Sequence, residues 1–425
     1  MKYIAPRFKT ILFLCTLAIF LLTHLKTPAF IRREYTLQEI LDACANVVFG
    51  TVKTVDDKKL QVVIQVEQNA KGKSEYKQIK IDATLGMEPE IQNAPAAFIQ
   101  MMKPGLPIVF FYNSIGKRLV SLGYVAGQWF QAFALDEPNK DNILWRYTHI
   151  QIYMYRTFCG SVESLKNVIV DTLAGKTVAP VEVKILVLTG NSFDAEFPAL
   201  SKLNRMGNYV TLKYEQTKGR NLPNLGKFQI LWVGQSEIKK CNEYFFNPGI
   251  EDKIKNFVQN GGVVIVSGQD SDAENPCPTG WIPEPLLGVE RNSEFGIRNS
   301  ELLREPSERS EAENQQMHQL EAERSEQNSD FQIASVGLNL FKAPNLVKKE
   351  RIYLGDTWTK WSEKYEILAM TDDGKNIVIA KLEYGKGMYI VTSLRNETEE
   401  DVKINTNIME NLIHYAVRWI LTSKT

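Results

Sequence analysis

The sequence predicts a multidomain protein of α+β and α/β class, in which a small β-barrel precedes a doubly wound parallel sheet. Within residues 35–178, short runs of β-branched and aromatic residues are separated by turn signals, which is typical of a barrel or sandwich. Within residues 182–421, nearly continuous apolar strands alternate with helical patterns, which favours parallel strands joined by right-handed crossovers. A chain of 425 residues is long enough for both units.

The first unit is expected to form an OB-like β-barrel flanked by helices. Apolar residues at helical spacing predict helices at 37–44 and 160–173. Between them the predicted strands cover residues 46–52, 60–66, 79–81, 108–112, 119–125 and 129–135. Tyr124, Trp129 and Phe130 could form an oligosaccharide-binding face on such a barrel, but alternating aromatic residues are more typical of a core.

The second unit is expected to form a flavodoxin-like doubly wound sheet. Its predicted strands cover residues 183–189, 209–214, 228–233 and 263–268, with helices at 194–206 and 250–259 between them. Two further strands at 376–383 and 388–393 flank a turn, and a final helix is predicted at about 404–421.

Composition excludes one class of partner. Lys plus Arg and Asp plus Glu number 50 each, so the chain has no net field that would attract a polyanion. We therefore predict no nucleic-acid partner.

The first 29 residues predict a signal peptide or an N-terminal membrane anchor. Basic residues precede an apolar run at 11–22, which is shorter than the roughly 20 residues of a spanning helix, and small residues follow it. Cleavage would release the protein, whereas retention would tether it through residues 11–25. Either outcome places the protein outside the cytoplasm: secreted, periplasmic or membrane-anchored.

Export affects how the cysteines are interpreted. Cys15 would leave with the signal, and four cysteines remain: Cys44, Cys159, Cys241 and Cys277. In an oxidising compartment the simplest scheme pairs them within each unit, Cys44 with Cys159 and Cys241 with Cys277. Four buried free thiols are the alternative.

Residues 291–330 interrupt the second unit. They are dense in Glu, Arg, Ser and Gln and contain short repeats, with few bulky apolar residues. Such a segment cannot bury enough surface to order itself. We predict a low-complexity disordered insertion with no catalytic role.

The strand GGVVIV at 261–266 and the hairpin YGKGMYIVTS at 384–393 resemble elements of the class I glutamine amidotransferase-like superfamily, with the ThuA-like, noncatalytic branch most similar. The resemblance covers about 182–290 and 334–421. It implies an amidotransferase-like α/β domain. Catalytic members carry a nucleophilic Cys after the strand that corresponds to 263–266, where this chain has Ser267 and Gly268.

The first unit resembles TIMP- and netrin-like OB-fold modules. The resemblance rests on DACANVVFGTV at 42–52, on Val66-Glu67 with Lys71-Gly72 nearby, and on the Pro104-Gly105 turn before an apolar strand. It implies a binding or inhibitory unit. The N-terminal cysteine cluster of those modules is missing, which argues against metalloprotease inhibition.

Histidine is too scarce for several chemistries. Of four histidines, His24 lies in the signal, His149 in the first unit, His318 in the insertion and His414 on the final helix, where a packing role is favoured. No Cys–His or Ser–His pair is indicated. Dinucleotide and P-loop fingerprints are also missing, and the sequence predicts no metal and no cofactor.

Polar residues follow the predicted parallel strands and mark a possible ligand site. In an open α/β sheet, ligands bind beyond the carboxyl ends of the strands. The residues there are Asn191, Asp194, Gln235, Gln269 and Asp270, and Asp356 lies in a loop with two tryptophans. These residues could instead form ordinary turns and helix caps, and the loop could simply be packed by its aromatic side chains.

Two functions follow from this pattern. The first is an exported noncatalytic binding or scaffold protein, whose partner is an unknown small molecule, glycan or protein. The alternative is an extracytoplasmic carbohydrate-active hydrolase that uses carboxylates, with Asp270, Asp272 or Asp356 as acids.

Overall fold

A computed structural model gives the architecture of the chain. It describes residues 35–84, 94–137, 140, 143–218, 222–240, 245, 247–269, 277–290, 331–333, 338–348 and 352–422. The predicted signal or anchor at 1–29 and the insertion at 291–330 lie outside these residues. No helix in the described ranges combines the length and apolar character needed to span a membrane.

The first unit is a closed barrel of seven strands. The strands are β1 (Asn46–Asp56), β2 (Gln61–Lys71), β3 (Gln78–Asp82), β4 (Pro107–Ile115), β5 (Arg118–Val125), β6 (Gln128–Leu135) and β7 (Leu144–Ile150). Their order around the barrel is β1-β2-β3-β7-β6-β5-β4, and the only parallel pair among them is β3 with β7. The OB-like, TIMP-like prediction is therefore wrong, because an OB fold has five strands. The missed strand β7 alternates buried Trp145 and Tyr147 with polar residues and closes the barrel.

In the described part of the chain, three helices accompany the barrel: α1 (Leu37–Ala43), α2 (Ala94–Met101) and α3 (Val162–Leu173). Thr36 and Glu39 form a capping box that starts α1. Phe98 of α2 stacks on Tyr147 inside the barrel, with ring centroids 4.2 Å apart.

Aromatic side chains fill the barrel and its outer layer. Tyr124, Trp129 and Phe130 are all buried, so they belong to the core and not to a binding face. The Tyr124 hydroxyl donates to the Gly160 carbonyl oxygen at 2.6 Å. Gly123 is required by this packing, because a Cβ there would overlap the ring of Phe130.

The second unit is built on a mixed sheet of eleven strands. They are β8 (Val181–Leu188), β9 (Arg205–Met206), β10 (Val210–Thr217), β11 (Ile230–Val233), β12 (Val263–Val266), β13 (Leu286–Glu290), β14 (Phe331–Ile333), β15 (Thr357–Trp361), β16 (Glu366–Thr371), β17 (Ile377–Tyr384) and β18 (Gly387–Thr392). Five neighbours, in the order β18-β12-β11-β8-β10, are parallel.

The predicted flavodoxin-like doubly wound sheet is wrong because the remaining strands pair antiparallel. Strands β17 and β18 form a tight antiparallel hairpin at the edge of the parallel centre. Strands β15, β13, β16 and β14 extend the sheet beyond β17. A parallel pair needs a crossover of about a dozen residues or more, which the hairpin at 384–387 does not provide. The result is a parallel centre with a large antiparallel flank.

The parallel centre is buried on both faces. The helices of this unit are α4 (Glu196–Leu200), α5 (Glu237–Lys240), α6 (Pro248–Gln259), α7 (Leu338–Lys342) and α8 (Glu399–Thr422). Ile185 and Val187 contribute to the core that includes α8, whereas Leu186 and Leu188 contribute to the core that includes α6. The first of these cores also contains Tyr155 and Cys159 from the segment that follows the barrel.

The cysteines do not form the proposed first pair. Cys44 is half-buried and Cys159 is buried, and both are free thiols in this structure. Burial raises the pKa of both thiols, to about 11 for Cys44 and about 12 for Cys159. Cys277 is buried beside the carbonyl oxygen of Pro278, and Cys241 lies outside the described residues, so the second pairing stays a prediction.

Candidate functional site at the carboxyl edge of the parallel strands

The parallel strands bring most of the predicted ligand residues to one edge. Asn191 and Asp194 follow β8, Gln235 follows β11 and Gln269 follows β12. Asp270 and Asp272 lie outside the described residues. The strand β18 ends at the same edge and adds residues that the sequence did not point to.

A buried glutamate, Glu196, lies at the centre of this edge. It is only 2% exposed and begins the short helix α4. Its carboxylate accepts hydrogen bonds from Trp232 Nε1 at 3.3 Å, Gln235 N at 2.9 Å, Ser267 Oγ at 2.5 Å and Asn396 Nδ2 at 2.7 Å. These four donors come from three separate segments, at the ends of β11, β12 and β18, so Glu196 ties the strand ends together.

The protonation of Glu196 is set by a balance of burial and hydrogen bonding. Desolvation disfavours the charged form and raises the pKa of Glu196 from 4.5 to about 7. The four hydrogen bonds oppose this rise because each of them stabilises the carboxylate. Burial outweighs them, so Glu196 titrates near neutral pH.

Two asparagines extend the network to the last helix. Asn405 of α8 donates from Nδ2 to Asn396 Oδ1 at 2.9 Å, and its Oδ1 accepts from Tyr353 N at 2.7 Å. Both asparagines are fully buried. Buried polar groups of this kind need partners, and here they supply them to each other and to the backbone.

The predicted ligand residues Gln269 and Gln235 are buried within the same network. Gln269 donates from Nε2 to the Gly234 and Ser267 carbonyl oxygens, at 2.9 and 2.8 Å, and accepts from Ile238 N at 3.1 Å. The Gln235 amide is satisfied with its nitrogen toward the carbonyl oxygens of Gly268 and Leu394, at 3.0 and 2.8 Å. Both side chains therefore join loops instead of facing solvent.

The turn after β11 has a backbone conformation that catalytic turns often use. Ser236 has a φ of 54° although it is not glycine, and α5 begins directly after it. The backbone N–H groups of this turn are all engaged, from Ser236 to Gly268 O at 3.0 Å and from Glu237 to Gly234 O at 3.3 Å. The turn therefore offers no N–H pair to a developing oxyanion.

The outer rim of the edge is held by a second glutamate. Glu237 accepts from Asn191 N and Nδ2, both at 2.9 Å, and from Ser192 N at 3.0 Å. Asp194 accepts from Gln216 Nε2 at 2.5 Å and lies 3.8 Å from Lys218 Nζ. Asn191 and Asp194 remain exposed, so of the predicted residues at this edge these two are open to solvent.

Asp356 lies near the end of β18 and is half-buried. The preceding residue, Gly355, donates from its N–H to Ser393 O at 2.8 Å. Trp358 is buried in the core and Trp361 packs partly against it. The two rings are thus occupied by packing in the core beside the sheet, as in the alternative to sugar stacking that the sequence left open.

Sequence reasoning missed the residues at the centre of the site: Glu196, Ser267, Asn396 and Asn405. Glu196 was placed inside a longer predicted helix at 194–206, where an acidic residue in the first turn is unremarkable. The available signal was an acid in the loop-to-helix segment that follows a strand buried on both faces, eight residues after the end of β8.

The described residues contain no cluster of three or more His, Cys, Asp or Glu side chains that could hold a metal ion. His414 is buried against the Tyr155 ring, with centroids 5.2 Å apart, as expected for a packing role. Burial, with Arg156 and Arg418 nearby, lowers its pKa to about 3.

Comparison with known proteins gives likenesses among solved structures, and none among family models or curated proteins. Among solved structures the chain is similar to a beta-galactosidase from Bacillus circulans sp. alkalophilus, with 11% identity and a TM-score of 0.29 over 55% of this chain and 30% of that one. An exo-beta-1,4-mannosidase from Opitutaceae bacterium strain TAV5 gives 8% identity and a TM-score of 0.30, over 60% of this chain and 39% of that one.

A GH42 beta-galactosidase from G. stearothermophilus gives 10% identity and a TM-score of 0.27, over 59% of this chain and 33% of that one. The chain thus spans about a third of the length of these glycosidases. At TM-scores this low, the likenesses establish neither a shared fold nor a shared activity. The predicted membership of the ThuA-like, amidotransferase-like family is wrong: no family model matches the chain, and the solved structures named here are glycosidases, not amidotransferases.

Proposed function

We propose that this chain is a noncatalytic binding or scaffold protein that acts outside the cytoplasm. The observation that supports it most is the internal use of the polar groups at the carboxyl edge, with Glu196 at their centre. The extracytoplasmic part of the proposal rests on the N-terminal sequence pattern alone.

The chemistry of the edge supports binding over catalysis. A catalytic carboxyl group must reach the proton or atom that it serves, at about 2.6–3.2 Å. Glu196 is enclosed, and its two oxygens already accept four hydrogen bonds from protein donors. Reaching a substrate would require breaking several of these bonds, each worth about 0.5–1.5 kcal/mol and more when the acceptor is charged.

A carbohydrate-active hydrolase is the second candidate. It is favoured by the pKa of Glu196, which at about 7 is suited to a general acid. Glycoside hydrolysis also needs a second carboxyl group, roughly 5–9.5 Å from the first. Of the three acids that the sequence predicted for this chemistry, Asp356 has a described position, whereas Asp270 and Asp272 lie outside the described residues.

A turnover experiment separates the two candidates. The full chain would be incubated with neutral and acidic oligosaccharides, and products would be followed by anion-exchange chromatography. We expect no release of shorter sugars, and the same trace from the Glu196→Gln and Asp356→Asn variants. If product forms with the wild type and is lost in both variants, the protein is a hydrolase and the proposed noncatalytic function is wrong.

A further inference from the structure

A groove opens at the opposite edge of the parallel strands, where they begin. It lies between α6 and the 3-10 turn at Leu225–Lys227, beside the starts of β11 and β12. Its volume is about 650 Å3, which is within the usual size of small-ligand sites. None of the residues of the carboxyl-edge network lines it.

The floor of the groove is apolar and firmly packed. Leu225, Phe228 and Phe257 line it and are buried, so each leaves only a small surface facing the groove. Gly262 lines the groove beside them, and a Cβ there would overlap the Phe257 ring. Such a floor suits the flat C–H face of a ligand.

The walls of the groove are rich in hydrogen-bond donors. Asn224 accepts from Gly226 N at 3.0 Å through Oδ1, and Gln229 accepts from Lys184 N at 2.8 Å through Oε1. Their oxygens are thus engaged, while the amide nitrogens have no partner among the described residues. Asn256, exposed on α6, adds a further side-chain amide.

The charge of the groove has one sign. Lys253 lines it one turn before Asn256, is exposed, and forms no ion pair with any described residue. No Asp or Glu is among the lining residues. The neighbouring Lys255 pairs instead with Asp252 at 3.7 Å and does not line the groove.

We propose that this groove binds an acidic saccharide, with a sugar carboxylate on Lys253 and the sugar ring over the apolar floor. A sugar combines an apolar ring face with hydroxyl oxygens that accept from amide N–H groups. A carboxylate on the sugar would form an ion pair with Lys253, the one cation that lines the groove. The volume accommodates a mono- or disaccharide. This proposal rests on the proposed binding function and names its ligand class and site.

Titration calorimetry of the full chain at low ionic strength tests the proposal. The probes are digalacturonate and the hyaluronan disaccharide, with the methyl ester of each as its uncharged counterpart and succinate as a carboxylate without a sugar. We expect at least one uronate disaccharide to bind. Its ester should bind about ten-fold to a hundred-fold more weakly, and succinate should not saturate.

Three variants locate the site. Lys253→Gln should weaken uronate binding by about ten-fold to a hundred-fold, whereas Lys255→Gln removes a charge from the same helix and should leave it unchanged. Asn256→Trp fills the groove from an exposed position and should abolish binding. Circular dichroism and melting temperature would confirm that each variant is folded.

The outcomes separate this site from the proposed function. The proposal that the groove binds a uronate would be overturned by any of three results: no uronate binding, equal binding of the acid and its ester, or equal effects of the two lysine variants. Uronate binding that depends on Lys253 but is followed by cleavage of the sugar would keep the groove and refute the noncatalytic function. Uronate binding that is equally strong in all three variants and is not followed by cleavage would refute the groove as the binding site and leave the noncatalytic binding function standing.

Discussion

Replacing Glu196 by glutamine keeps the size of the side chain and exchanges one carboxylate oxygen for an amide nitrogen. Oε1 accepts from Trp232, Ser267 and Asn396, and Oε2 accepts from Gln235 N. A glutamine would keep its oxygen at the position with three donors, which turns its NH2 group toward the Gln235 N–H. Two donors then face each other in a buried site, and an unsatisfied buried donor costs about 1–3 kcal/mol. We expect Glu196→Gln to lower the free energy of unfolding by that amount at pH 5.

The cost of this substitution should depend on pH. Because the pKa of Glu196 is raised in the folded state, from 4.5 to about 7, the folded chain holds this proton more tightly than the unfolded chain does. The resulting stability is fully present below pH 4.5 and is lost as the pH rises through 7. Its magnitude is on the order of 3 kcal/mol. Glutamine does not titrate, so the cost of the variant should shrink between pH 5 and pH 8.

Urea unfolding at intervals of one pH unit from 5 to 8 measures this difference. Glu182→Gln is the matched control, because Glu182 is exposed on β8 and, among the described residues, forms an ion pair only with Lys184, at 3.6 Å. The control should follow the wild type at each pH. A Glu196→Gln cost that stays constant across the range would refute the raised pKa, and no cost at pH 5 would refute the hydrogen-bond argument.

Further predictions concern the last helix and the barrel. The pKa of His414 is lowered from 6.5 to about 3, so as the pH falls below 6.5 the unfolded chain takes up a proton before the folded chain does, and the folded state loses stability. His414→Leu should reduce this acid loss of stability, measured by urea unfolding at decreasing pH. An equal fall of the unfolding free energy at acid pH in wild type and variant would contradict this contribution of His414. Gly123→Ala should cost about 1–3 kcal/mol through overlap with Phe130, and adding Phe130→Leu should recover part of the melting temperature. Asn405→Ala should cost about 1–3 kcal/mol, with exposed Lys403→Ala as a neutral control; equal melting temperatures for the two would argue against the asparagine network.

The sequence predicted individual strands better than their pairing. Runs of apolar residues identify strands that are buried on both faces, and the strand expected at 263–268 lies at Val263–Val266. Such runs do not specify which neighbour a strand takes or in which direction. The antiparallel flank of the sheet and the parallel closure of β3 with β7 were therefore missed, since both depend on contacts between distant segments.

The candidate site was predictable in position but not in its centre. The rule that ligand residues follow parallel strands brought Asn191, Gln235 and Gln269 to one edge. The partners of Glu196 lie 36, 71 and 200 residues away in sequence, at Trp232, Ser267 and Asn396. No local pattern encodes a network that the fold assembles from four segments.

The neighbouring position of β12 and β18 in the sheet has a consequence for chain length. About 120 residues separate these two strands, and residues 291–330 account for about a third of them. The entropy lost on closing a loop grows only with the logarithm of its length, so this segment adds on the order of 0.4 kcal/mol to the cost of joining the two strands. A change of tens of residues within 291–330 should therefore have almost no effect on the free energy of assembling the parallel centre, whereas the rest of the connection carries β13–β17 and α7 and cannot be shortened in this way.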